Sequence, residues 1–193
     1  MSTGTILAIV IPLAVVIALI ALAIVLDRRR RRRRLRERFG PEYERAVDEA
    51  GGRRAAEHEL DAREKRHASL DIRPLAPELR DRYAREWRGV QEQFVDRPEE
   101  AVHDADRLVT TLMRERGYPT DDFDQRIRDL SVEHGRTLGH YRDAHEVDRL
   151  ASAHRATTEQ LRGAMVHYRV LFDELLANGN GNGNQAGPAG HDK

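Results

Sequence analysis

The chain contains no cysteine, which excludes disulfides, thiol nucleophiles and thiolate metal ligands. Aromatic residues are only 5% of the 193 positions, too few for a typical strand sandwich or barrel. Serine occurs only at Ser2, Ser69, Ser131 and Ser152, none of them in a Gly-x-Ser-x-Gly elbow, so no serine nucleophile is set up. Phosphate-cradling glycine loops are also missing: Gly51-Gly52 lacks a following Lys-Ser or Lys-Thr. Lysine is almost absent, occurring only at Lys65 and Lys193. With a charged fraction of 34% and little aromatic content, the expected fold class is all-α.

One long hydrophobic run is present. From Ile6 to Leu26 every residue is uncharged and all but Pro12 are aliphatic, and at about 1.5 Å rise per residue a helix of that length covers the roughly 30 Å of a bilayer core. A cleaved signal peptide places its positive charge ahead of the apolar stretch, whereas Met1 to Thr5 are uncharged and the arginines follow it. Ala21-Leu22-Ala23 resembles a cleavage site but lies within the run, just ahead of arginines that resist translocation. The order predicts a single-pass stop-transfer anchor in the plasma (inner) membrane, with the N-terminus outside and the C-terminal domain cytoplasmic. Ala14 and Ala18 are spaced for close helix pairing in lipid, a weak signal in an alanine-rich span.

The zero net charge averages two unlike regions. Arg28, Arg29, Arg30, Arg31, Arg32, Arg33, Arg34, Arg36 and Arg38 stand against Asp27 and Glu37 alone, so residues 39 to 193 carry an equal acidic surplus. The collar is first a topological signal; anionic lipid headgroups are the expected partner beyond that, and nucleic acid is not expected, because the domain that follows is acidic.

Four segments are expected: an anchor over 1–27, a basic collar and charged helical stalk over 28–69, a helical bundle over 70–177 and a disordered tail over 178–193. In the stalk, Leu35, Phe39, Tyr43 and Val47 recur every four residues, with a helix break at Gly40-Pro41 and another at Gly51-Gly52. Residues 53 to 69 read as a charged helix that is solvated, half of a coiled coil, or a lever between membrane and domain. Leu70 to Pro77 alternates apolar and polar residues and holds two prolines, so it reads as an extended strap.

The bundle is built from amphipathic stripes. Leu79, Tyr83, Trp87, Val90 and Phe94 share one helix face, and Val102, Ala105, Leu108 or Val109, and Leu112 share the next. Asp96 with Glu99 is expected to cap that second helix, and Gly117 to end it with Tyr118 folding back on Met113. Thr120 is expected to cap a third helix running through Phe123, Ile127, Leu130, Leu138 and Tyr141, where Gly135 and Gly139 either permit a close crossing, the preferred reading, or mark a bend. Thr157 and Gln160 have capping-box spacing ahead of Leu161, Met165, Tyr168, Phe172 and Leu175. Short connections between such helices predict a small antiparallel bundle.

Nine histidines are the remaining chemical candidates. His145-Glu146 lacks the second histidine of a metalloprotease helix. His134 and His145 can approach the apolar face beside Glu133 or Asp148, but a satisfied or solvated histidine is the preferred reading. No catalytic, cofactor-binding or metal-ligating residue is assigned, and an enzyme is not expected.

Leu70-Asp71-Ile72-Arg73-Pro74-Leu75, Tyr83, Trp87, Gln91, Phe94-Val95-Asp96, Pro98, Ala105-Asp106, Leu108-Val109, Met113 and Arg116-Gly117-Tyr118-Pro119, continuing to Tyr168 and Leu171-Phe172, resemble a group of actinobacterial membrane or secreted proteins. That resemblance implies an envelope location and no particular activity. The leading expectation is a membrane-anchored helical interaction module binding another protein or itself. A regulatory or sensory envelope component comes second, and a histidine-based metal enzyme third.

Overall fold

A computed structural model describes residues 3–177, with side chains from Val16 onward. The expected tail over 178–193 lies outside the described residues, as do the side chains of Pro12 and Ala14. Among the described residues there are eight helices and no strand, so the fold is all-α. The chain divides into two compact units, Met1–Leu60 and Asp61–Lys193, with the division falling inside a helix.

The first unit holds α1 (Thr3–Phe39), α2 (Pro41–Glu49) and the first half of α3 (Arg53–His67). Gly40 sits at φ +54°, a conformation open to glycine, and Pro41 opens α2, where its missing N–H and fixed φ suit the first turn. Gly51, at φ +65°, turns the chain again before α3. Within the region expected to be a charged helical stalk, Leu35, Phe39, Tyr43, Ala46, Ala56 and Leu60 are all buried. Two glycine turns shorten the charged segment into three helices and give each apolar stripe something to cover it. The Tyr43 hydroxyl donates to Glu57 Oε1 at 3.0 Å, joining α2 to α3.

Val16 to Leu26, by contrast, are exposed throughout, with Leu19 at 59% and Val25 at 44%. Among the described residues no helix is long and apolar enough to cross a membrane. Of the run Ile6 to Leu26, the side chains before Val16 fall outside the described residues.

The second unit contains the strap, α4 (Pro77–Gln93), α5 (Pro98–Glu115), α6 (Phe123–His134), α7 (Leu138–Ser152) and α8 (Thr158–Ala177). Helix α8 packs on α7 and α5, α5 also meets α4 and α7, and α6 lies on α7. Tyr83, Trp87 and Val90 are buried on the face of α4 that the spacing marks, and Trp87 stacks on Phe172 of α8 with ring centroids 4.6 Å apart. In α5 the core position is Val109, with Leu108 only partly buried.

Helix ends agree with expectation in part. Gly117, at φ +94°, closes α5 while the Tyr118 N–H reaches back to the Met113 carbonyl at 3.0 Å. Thr157 and Gln160 make the reciprocal capping bonds, Thr157 N–H to Gln160 Oε1 at 2.8 Å and Gln160 N–H to Thr157 Oγ1 at 3.3 Å. The Asp96 cap is not formed: Pro98 occupies the first turn of α5, Arg97 stands at the N-cap and no side chain caps it. Thr120 does not cap α6 either; Asp122 does, accepting from the Gln125 N–H at 2.7 Å. The long third helix is two helices, because residues 135–137 form a turn, and a Cβ at Gly139 would meet nothing within 4 Å. Gly135 therefore lies in the turn, and Gly139, within α7, is at no close crossing.

The strap is extended as expected, with Leu75 buried and the Arg73 N–H donating to the Arg116 carbonyl at 3.0 Å. It lies so near Gly117 that a Cβ there would stand 2.1 Å from the Asp71 carbonyl oxygen.

Candidate functional site

All nine collar arginines lie within α1, directly continuing the exposed apolar stretch. Some are engaged along the surface: Arg33 donates to Glu37 at 2.8 Å, and Arg36 pairs with Glu44 while lying over the Tyr43 ring. In the first unit a groove of about 870 Å³ has Ile24 and Val25 on its apolar side, and Arg28, Arg32, Arg53 and Arg54 on its basic side. Cationic residues outnumber the lining carboxylates of Asp27 and Glu57, so the groove is suited to an anion with an apolar appendage.

The bundle holds two buried polar clusters. In the first, Asp106 of α5 accepts at Oδ1 from the Tyr168 hydroxyl (2.9 Å), and His145 Nδ1 of α7 lies 3.2 Å from the same oxygen. Phe123 stacks flat on the His145 ring, with centroids 4.0 Å apart and planes 14° apart. One turn back along α5 and one turn further along α7, His103 Nδ1 stands 3.5 Å from Asp148 Oδ1, yet that oxygen takes no hydrogen bond. Donor atoms of Asp106, His145 and Asp148 all lie within 4.8 Å of one another.

Burial and partners push these carboxyls apart. Burial works to raise the Asp106 carboxyl, but hydrogen bonds from His145 and Tyr168, with the charges of His145 and Arg126, hold it below its ordinary value. Asp148 is raised, first by burial and then by the charge of Asp106, which outweigh His103 and His145. Beside them Arg126 donates to Tyr141 Oη at 2.7 Å, to Thr110 Oγ1 at 3.1 Å and to the Thr120 carbonyl at 2.8 Å. The Tyr141 hydroxyl is pushed up to about 12, by burial and the Asp106 charge. Tyr168 is raised by the same two influences and stays a hydrogen-bond donor at any physiological pH.

In the second cluster His134 is fully buried at the end of α6, its Nε2 3.4 Å from the Tyr118 hydroxyl and its Nδ1 3.2 Å from Glu174 Oε1. The Nδ1 contact is close enough for charge attraction but does not meet hydrogen-bond geometry. Tyr118 donates to Glu133 Oε2 at 2.9 Å, and burial with the Glu133 charge raises its hydroxyl far above the usual range. Arg116 donates to the Leu175 carbonyl at 3.0 Å, so this cluster ties the strap and turn to the end of α8.

The sequence reading named His134, His145, Glu133 and Asp148, and the structure separates them into the two clusters. It missed His103 and Asp106. The signal for them is a repeated His-x-x-Asp, at His103/Asp106 and at His145/Asp148, which puts each pair on one helix face.

The chain matches no protein-family model, no curated protein and no solved structure.

Proposed function

We propose that the protein is a membrane-anchored helical module, held by the apolar part of α1 with the bundle on the cytoplasmic face, where it binds a protein partner or a second copy of itself. The observation that carries this reading is the bare apolar surface of Val16 to Leu26, followed after Asp27 by the unbroken run Arg28 to Arg34. A helix that is hydrophobic all round is stable only when something apolar covers it, and among the described residues none covers Val16 to Leu26. Lipid is the cover that its arginine flank favours, because arginines at headgroup depth both block translocation and attract anionic lipid. The groove beside Arg53 and Arg54 offers such headgroups a second basic wall. The resemblance to actinobacterial membrane or secreted proteins points toward the same envelope setting.

Reporter fusions after Lys193 test the placement. A reporter that works only in the cytoplasm should be active, and replacing Arg28, Arg30, Arg32 and Arg34 with asparagine should reduce that activity and transfer part of the population to the opposite orientation. An active periplasmic reporter on the wild-type chain, or recovery of the chain from carbonate-washed membranes as a soluble protein, would overturn the reading.

A further inference from the structure

The bundle carries a feature unrelated to the anchor. His103 and Asp106 are three residues apart on α5, and His145 and Asp148 are three apart on α7, so each helix presents one imidazole and one carboxylate on the face toward the other. The pairs cross: His145 meets Asp106 at 3.2 Å, and His103 meets Asp148 at 3.5 Å. We propose that these residues form a binding site for a divalent first-row transition-metal ion, with Asp106, His145 and Asp148 as ligands and His103 as the fourth.

Donors bound to one such ion at about 2.0–2.2 Å stand roughly 3.2–3.6 Å apart in a tetrahedral shell. Both crossing pairs already have that spacing, and the widest separation among Asp106, His145 and Asp148, 4.8 Å, closes by side-chain rotation across the two helices. Asp148 supplies the independent indication. It is 7% exposed, and its Oδ1 points into the cluster with no hydrogen bond and only the half-exposed His103 ring beside it at 3.5 Å, an arrangement that is unfavourable for a buried carboxylate unless a cation is brought to it. The surroundings are those of a supported ligand set: Tyr168 donates to Asp106, and Phe123 fixes the plane of His145. His103, whose side chain is 58% exposed, provides the entry from solvent. Two oxygens and two nitrogens without thiolate suit Zn²⁺ or Mn²⁺ better than Ca²⁺, which takes six or more oxygens.

The test is calorimetric titration of ZnCl2 and MnCl2 into the metal-stripped full-length chain in detergent micelles, with CaCl2 as control. One ion per chain should bind, and the thermal midpoint should rise. Asp148→Asn keeps the shape of a side chain whose Oδ1 takes no hydrogen bond, so it should fold normally by circular dichroism and lose about tenfold or more in affinity. His140 and His167, whose rings are 4.8 Å apart on α7 and α8, are the competing surface pair, and His140→Gln should leave the affinity unchanged. Absence of binding to the wild-type chain, equal affinity in Asp148→Asn, or loss of binding in His140→Gln alone would overturn the proposal.

Discussion

In the first unit, the buried Glu42 apart, charged side chains pair in water: Arg33 and Glu37 leave 82% and 65% of their side chains exposed, and Arg45 and Glu49 leave 52% and 61%. In the bundle the same residue types work in the interior. Asp129, 1% exposed, receives Arg66 at 2.9 Å, and Arg126 spends its donors on two hydroxyls and a carbonyl. A charge in water is screened and replaceable, while a buried one holds a particular geometry and is costly to strand. The arginines of α1 thus act by number, and those of the bundle by position.

The comparison breaks most visibly if the bundle core is emptied. Trp87 is 1% exposed and stacks on Phe172, joining α4 to α8. Trp87→Ala should lower the stability of the second unit by about 3–5 kcal/mol, as large-to-small changes at buried aromatics do. Thermal unfolding followed by circular dichroism should show it as an early transition, with the helical signal of α1 to α3 retained to higher temperature. A single transition shifted as a whole would mean that the two units do not unfold separately.

Gly117→Ala should have the next largest effect. An alanine at φ +94° is strained, and its Cβ would collide with the Asp71 carbonyl, so the strap has to lift. About 2–3 kcal/mol is expected, and limited proteolysis should cut near Arg73 sooner than in the wild type.

How much of this was readable beforehand follows the range of each interaction. The stripes of α4 and α8, the extended strap, the Gly117 stop and the Thr157 cap depend on neighbours within a few residues, and they appear where the spacing puts them. The Asp96 cap failed because proline at 98 already satisfied the first turn, and the long third helix failed because residues 135–137 turn between two helices that the apolar spacing alone joins. The pairing of His103 with Asp148 and of Asp106 with His145 is about forty residues long-range. Spacing within one helix can show each His-x-x-Asp, but only the docking of α5 on α7 makes them partners.

Acid sharpens the comparison further. Burial works to raise Glu174, but its polar contacts with His134 and Thr137 and the charges of His134 and Arg136 outweigh it, leaving the carboxyl below its ordinary value. A carboxyl depressed in the folded state stabilises it at pH values above the unfolded value of about 4.3 and loses that contribution as pH falls below it. Glu174→Gln should therefore melt lower than the wild type near pH 7, and the two midpoints should converge below about pH 4. A constant difference from pH 7 to pH 3 would mean that Glu174 acts by packing alone.

The smallest effect belongs to the collar, and its size is what separates the two regions. Arg33→Ala removes the 2.8 Å contact with Glu37, but both partners are mostly in water, where an ion pair one helical turn apart gains little over hydration. The unfolding midpoint of the full-length chain should not move measurably. Binding to vesicles is a different quantity, since each arginine near an anionic surface adds on the order of 1 kcal/mol. Arg33→Ala should therefore weaken attachment to phosphatidylglycerol vesicles in a salt-dependent way and leave phosphatidylcholine vesicles unaffected. If the substitution instead lowered stability and left vesicle binding intact, the arginine would be acting by position as the bundle's arginines do, and the distinction between the two regions would fail.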